Sequence, residues 1–342
     1  MPAGAAQATD FYVDAATGDD ADRGTTLSSA WRTLRKAVDA TNVGTVGPGD
    51  TVRFGAGTYG ALAPAYEVIA ASGRPGAPIT FQGCPANPKP TILGLVSLQG
   101  DDLTASGFVF DGPTGPYRSR EGADLEQAPV EIGGDHVALT DSEIRESRSA
   151  AGILVGSAKD PAFDFTISRN WIHDNGEFTD TAAANFHHGI YAQFGSGSIA
   201  NNLIAHNYAY GVHLYPSPSN VLVERNTIVG HGRAGVIVAG ADGEPPFPAG
   251  NLLVDNILVD NNHAVDALAP IGNGNAALAN VLSHNLPPDF HDPSGALTAV
   301  RNETGRPRLR VPDDLHETND LPGPFDGALD IAAVELSCRY PP

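Results

Sequence analysis

Through the middle of the chain a polar residue is followed, at a fixed offset, by an aliphatic one. The phrase recurs as Arg169-Asn170-Trp171-Ile172, Asn201-Asn202-Leu203-Ile204, Arg225-Asn226-Thr227-Ile228, Asp255-Asn256-Ile257-Leu258 and Asn280-Val281-Leu282. The asparagines stand 32, 24, 30 and 24 residues apart, and Ser142-Glu143-Ile144 takes the same frame 28 residues earlier. Five residues beyond each frame position come Ser147, Asn175, Asn207, His231, Asn261 and Asn285, a second polar column in the register of the first. Ordinary loops do not preserve an aliphatic phase, so the period predicts stacked coils that bend where the polar residue sits. Stacked asparagines can exchange side-chain amides between turns and satisfy the backbone groups that a bend leaves open.

A third segment of each coil opens with glycine: Gly152-Ile153-Leu154, Gly189-Ile190-Tyr191, Gly211-Val212-His213 and Gly235-Val236-Ile237. If Ile190, Val212 and Val236 point inward, strand alternation sends Tyr191, His213 and Ile237 outward. Further strands are expected near residues 11–13, 51–54, 79–81, 91–93, 108–110 and 130–132. Ser29 is placed to cap a helix whose apolar face is Trp31, Leu34, Ala37 and Val38. That helix would cover the first coil, whose strand edges and core would otherwise be bare. The acidic turn Gly18-Asp19-Asp20-Ala21-Asp22 lacks the ordered spacing of a calcium loop and reads as solvated. One domain, 1–342, is expected: opening strand and cap over 1–60, coils over 61–285, and a closing segment over 286–342 where the period is lost.

Composition agrees with a turn-rich all-β chain, with 39 glycines and 27 prolines among 342 residues. The formal charge of −20, with Lys36, Lys89 and Lys159 as the only lysines, argues against nucleic acid and anionic membranes as partners. Local arginines remain able to hold a carboxylate. No apolar run reaches the roughly 20 residues of a membrane span, and the first residues lack a leader's charged and apolar regions. The chain is therefore expected to be cytoplasmic or to have lost a leader. Cys84 and Cys338 lie near opposite ends of the expected solenoid and are read as free thiols. A capped solenoid needs no partner to protect its ends, so a monomer is expected.

Several phrases carry a family resemblance. Phe11-Tyr12-Val13, Gly18-Asp19-Asp20, Trp31-Arg32-Thr33-Leu34, Gly49-Asp50-Thr51-Val52 and Gly57-Thr58-Tyr59 resemble the opening of right-handed parallel β-helix proteins of the pectate-lyase-like superfamily. The asparagine repeats resemble theirs, and Ala328-Leu329-Asp330-Ile331-Ala332-Ala333-Val334-Glu335 resembles a frequent closing motif with Ala332 where glycine is usual. The resemblance implies a single-stranded right-handed parallel β-helix with an N-terminal capping helix, exported and acting on polysaccharide or oligosaccharide. It implies no particular reaction.

Candidate chemistry gathers after Asn175, where 13 residues precede Gly189, against three between Asn207 and Gly211. The inserted segment, which holds Glu177 and Asp180, would form a substrate-binding wall. Alternation groups His187, Tyr191, Gln193, His213, Tyr215 and Arg233 on one exterior patch and gives His188 the opposite parity. Elimination on a uronate needs a cation at the carboxylate, a base for the C5 proton and an acid for the departing O4. His213 suits the base, Tyr191 or Tyr215 the acid, and Arg233 the carboxylate grip, with Gln193 beside them. Asp174 and His206 hold equivalent positions in adjacent coils and could form a base-and-orienter pair. No zinc phrase is present; Asp174, Glu177 and Asp180 are better suited to calcium, though no motif requires a cofactor. Competing expectations are a hydrolase using paired carboxylates, a uronate C5-epimerase, and a noncatalytic sugar-binding solenoid.

Overall fold

The computed structural model describes residues 8–60, 65–83, 88–112, 128–148, 150–176, 186–243 and 245–305, with the backbone of 117–118 and 124–125. Cys84, Cys338, Glu177, Asp180 and the closing motif at 328–335 lie outside the described residues. Consecutive coils pair in parallel, and each full coil contributes to three faces of a β-helix. The first face includes Ala138–Thr140, Ala162–Ser168 and Leu252–Val254, and the second includes Trp171–His173, Leu203–Ala205 and Thr227–Val229. The third includes Val130–Ile132, Ile153–Val155, Ala234–Ala239 and His263–Leu268. Two long strands, Ile190–Ala200 and Val212–Glu224, start on the third face and run on into the first.

Register explains why the aliphatic phase had to be kept. Ile190, Val212, Val236 and Val265 stack as neighbours along the third face, all fully buried. Ile204, Ile228, Leu258 and Leu282 do the same on the second. A parallel stack makes each inward residue the floor for the next, so one continuous core fills the coil interior.

The polar columns form hydrogen-bond ladders at two corners. Asn202 Oδ1 accepts from the backbone N–H of Asn170 at 3.0 Å and its Nδ2 at 3.1 Å, while Asn202 Nδ2 donates to the Ile167 carbonyl at 2.9 Å. Asn226, Asn256 and Asn280 repeat the arrangement. The residue before each ladder position bends the chain through left-handed backbone, as at Asn201 (φ 56°) and His206 (φ 51°). Asn251 and Asn275, 24 residues apart, form a third ladder at the remaining corner, too short to stand out as a period in the sequence.

His231 takes an asparagine's place in the second ladder. Its Nδ1 accepts from the Asn207 N–H at 3.2 Å, and Nε2 lies 3.2 Å from the Ile204 carbonyl, to which it donates as the neutral tautomer. Neutral imidazole thus copies the amide's backbone-directed acceptor and donor. Full burial pushes its pKa down to about 4 against these backbone hydrogen bonds. Gly211, four residues after Asn207 on the preceding coil, is required by the same corner: its Cβ would sit 2.6 Å from the Gly235 carbonyl and 2.7 Å from His231 Nε2.

Two expectations are corrected. The helix spans Leu34–Asn42 and is capped by Thr33, whose hydroxyl accepts from Lys36 N–H; Ser29 ends a separate 3₁₀ turn, Leu27–Ser29. Asp20 in the acidic turn fixes this start by accepting from the N–H groups of Arg32 and Thr33 and from the Thr33 hydroxyl. Leu34, Ala37 and Val38 still pack on the first coils as a cap, and Arg35 reaches the buried Glu67 carboxylate. The coils also pass the expected boundary at 285. Phe290–His291, Thr298–Val300 and Glu303–Thr304 continue the three faces, and Asn302 extends the first ladder.

Candidate functional site on the third face

Pairing aligns one outward position per coil along the third face: Ser97, Glu131, Leu154, Tyr191, His213, Ile237, Asp266 and His291. Adjacent members are about 4.8 Å apart, the spacing of paired strands. Unlike the ladders, this column changes residue type at nearly every step. Three chemically distinct stations result.

At the centre, the Tyr191 and His213 rings stack face to face, with centroids 4.7 Å apart and planes 8° apart. Tyr215 also stacks on His213, with ring centroids 5.4 Å apart, and Tyr210 lies 5.1 Å from it. His188 meets His213 edge-on, with Nε2 2.8 Å from His213 Nδ1. Arg233 lies 5.6 Å over the Tyr210 ring. These outward side chains bury one another, leaving Tyr191 5% and His213 7% exposed.

Burial sets the proton affinities. The Tyr191 hydroxyl is pushed up to about 12, chiefly by desolvation, with the Gln193 hydrogen bond opposing the rise. His213 is driven well below the ordinary histidine value by burial, then by His188 and Arg233. At neutral pH the pair is therefore a protonated phenol beside an uncharged imidazole.

The remaining sequence candidates divide. Tyr191, Gln193, His213, Tyr215 and Arg233 belong to this neighbourhood. His187 and His188 exchange the places that alternation assigned, because both precede the strand that begins at Ile190 and so escape its two-residue period. His187 packs against Tyr208, whereas His188 faces His213. Asp174 is not seen to orient His206: its carboxylate lies 2.7 Å from His173 Nδ1, at the corner after the second face. His206 occupies the same corner one coil on, and its ring lies over Gly230.

A second station is a pocket of about 290 Å³ lined by Tyr66, Gln99, Glu131, Leu154, Ser157 and Asp160. Glu131 is buried, its Oε1 has no hydrogen-bond partner among the described residues, and burial raises its carboxyl to about 7. A Ser97 hydrogen bond opposes the rise. The sequence signal was available in Val130-Glu131-Ile132, where an acid stands between two inward aliphatic residues at the offset of Tyr191. The third station is His263, Asp266 and His291, whose ligating atoms fall within 4.8 Å of one another. The second face offers less: Arg145 binds Asp111 and Glu143, while Trp171 stacks on His173.

Comparison with known proteins agrees with this architecture. Residues 123–262 match the family model described as a right handed beta helix region. Among solved structures, the pectate lyase Pel9A is 12% identical with a TM-score of 0.55, covering 87% of this chain and 80% of its own. A rhamnogalacturonan lyase is 16% identical with a TM-score of 0.53, over 86% of this chain and 85% of its own. XylC in complex with xylose is 12% identical with a TM-score of 0.55, covering 86% of this chain and 68% of its own. A search of the curated proteins finds no match. The chain is a right-handed parallel β-helix solenoid. Its architecture is shared with a pectate lyase and a rhamnogalacturonan lyase, and at these identities the likeness is one of fold.

Proposed function

We propose that the third face binds a uronate-containing polysaccharide outside the cell and cleaves it by β-elimination at Tyr191 and His213. The observation that carries the reading is their stacking in register on adjacent coils, with proton affinities displaced in opposite directions. The likeness of the fold to a pectate lyase and a rhamnogalacturonan lyase supports a carbohydrate substrate without choosing the bond.

In this mechanism His213 donates from Nδ1 to His188 Nε2, which leaves His213 Nε2 bare to take the C5 proton. His188 acts as a positioning residue that keeps that tautomer. Arg233 neutralises the uronate carboxylate and so acidifies the C5 hydrogen. The electron pair from C5–H forms the C4–C5 double bond as the C4–O4 bond breaks, and the Tyr191 hydroxyl protonates the leaving O4. The two reacting groups need only opposite protonation states at one pH, and both are provided by burial.

A second reading rests on the Glu131 pocket. Glu131 is held protonated near neutrality and shares the pocket with the exposed Asp160, the pairing of acid and carboxylate that glycoside hydrolysis uses. Incubation with neutral and uronate polysaccharides, followed by mass analysis, separates the two. Unsaturated products that disappear in His213→Ala support elimination. Saturated reducing ends that disappear in Glu131→Gln overturn it in favour of hydrolysis, and binding without products overturns both.

A further inference from the structure

We propose that His263, Asp266 and His291 form a binding site for a divalent transition-metal ion of the zinc type. Asp266 and His291 are direct partners on adjacent strands, so backbone pairing holds the carboxylate beside the imidazole. His263, three residues before Asp266, turns its Nδ1 to within 2.7 Å of Asp266 Oδ1, and His291 Nδ1 approaches the same oxygen at 3.5 Å. The two imidazole centroids are 5.0 Å apart. Two rings from different coils therefore converge on one carboxylate oxygen.

The donor set selects the ion. Two imidazole nitrogens and one carboxylate suit zinc and its first-row neighbours, whereas calcium requires six to eight oxygens. Of the acidic residues suited to calcium from the sequence, Asp174 lies at a corner after the second face, and Glu177 and Asp180 lie outside the described residues. The Asp266 side chain is 9% exposed and those of His263 and His291 are 21% and 44% exposed, so the carboxylate forms a floor beneath two more open rings. Three protein ligands leave a coordination position facing that open side.

The site stands two coils along the column from His213, about 10 Å away at the spacing of paired strands. The His263 N–H donates to the Arg233 carbonyl at 2.9 Å, which ties the cluster to the segment carrying that arginine. The metal proposal does not depend on elimination or hydrolysis, because binding is measurable without substrate.

The test uses tag-free, metal-stripped protein titrated with Zn²⁺ and separately with Ca²⁺ by calorimetry, with Co²⁺ absorption as a probe of geometry. The expected result is a single saturable Zn²⁺ equivalent, no comparable Ca²⁺ binding, and intense visible Co²⁺ bands from a low-coordinate site. Asp266→Asn and His291→Ala should each weaken Zn²⁺ binding by more than about tenfold, since loss of a direct ligand should exceed the effect of an outer-shell change. Unfolding without metal verifies that each variant is folded; the half-exposed His291 provides the mild substitution. Absence of saturable Zn²⁺ binding overturns the proposal, as does Zn²⁺ binding that both folded variants retain or Ca²⁺ binding of equal strength.

Discussion

His231 and His213 lie within one turn of the same coil, and burial holds both neutral. Their surroundings differ in kind. His231 uses both ring nitrogens on backbone groups and replaces an asparagine in a ladder. His213 commits Nδ1 to another histidine, stacks on two tyrosines, and makes no other hydrogen bond among the described residues. A repeated position with all its polar groups satisfied supports the coil. A position at the same period whose residue type and partners vary is where chemistry can be placed without disturbing the scaffold.

The sharpest way to break this contrast is to remove each side of it. His213→Ala should lower turnover by ~10²–10⁴-fold, the usual contribution of a positioned general base, while its stability cost, from the emptied stack and the hydrogen bond to His188, should stay at about 1–3 kcal/mol. Unaltered turnover would show that the column is decorative. Asn226→Ala should instead destabilise the fold by about 3–5 kcal/mol, because Asn202 N–H, Asn202 Nδ2 and the Ile199 carbonyl lose partners inside the corner. Denaturant titration at fixed pH measures that loss; a change below about 1 kcal/mol would mean that the ladder is dispensable.

The pH dependence should divide the two regions by sign. His231 has a folded pKa of about 4 against an ordinary 6.5, so its contribution is fully present above 6.5 and is lost as pH falls toward 4. The difference corresponds to about 3 kcal/mol. Glu131 has a folded pKa of about 7 against 4.5, so its contribution is present below 4.5 and is lost as pH rises through 7, again by about 3 kcal/mol. The slopes oppose one another. His231→Asn, which keeps an acceptor and a donor, should remove the acid-side loss, whereas Glu131→Gln should remove the neutral-side loss. Identical stability profiles for wild type and either variant would reject the assigned cause.

The smallest change should come from Asp174→Asn. This exposed corner residue is at φ 52°, a conformation asparagine also tolerates, so stability should move by less than about 0.5 kcal/mol with turnover intact. A loss of turnover matching that of His213→Ala would restore the corner row to the catalytic machinery.

The ladders were legible because they repeat. Asn170, Asn202, Asn226, Asn256 and Asn280 reveal the period, and the inward Ile190, Val212 and Val236 fix which side chains alternate outward. The helix start was misplaced because its decisive contact is not local: Asp20 fixes Arg32 and Thr33 from 12 and 13 residues away. His188 was separated from His213 because the two-residue rule applies within a strand, and the strand opens only at Ile190. Glu131 and the His263, Asp266 and His291 group left weaker traces, since each depends on which coil becomes whose neighbour.

The sequence by itself determined the coil, its corners and its outward column, because stacking makes period equivalent to position. Only the tertiary structure decided which members of that column share a proton environment or converge on one oxygen. Insertions of different length change the chain separation between coils while leaving the strand spacing unaltered. Burial and side-chain direction, which set proton affinity and ligand geometry, arise only when those coils are laid against one another.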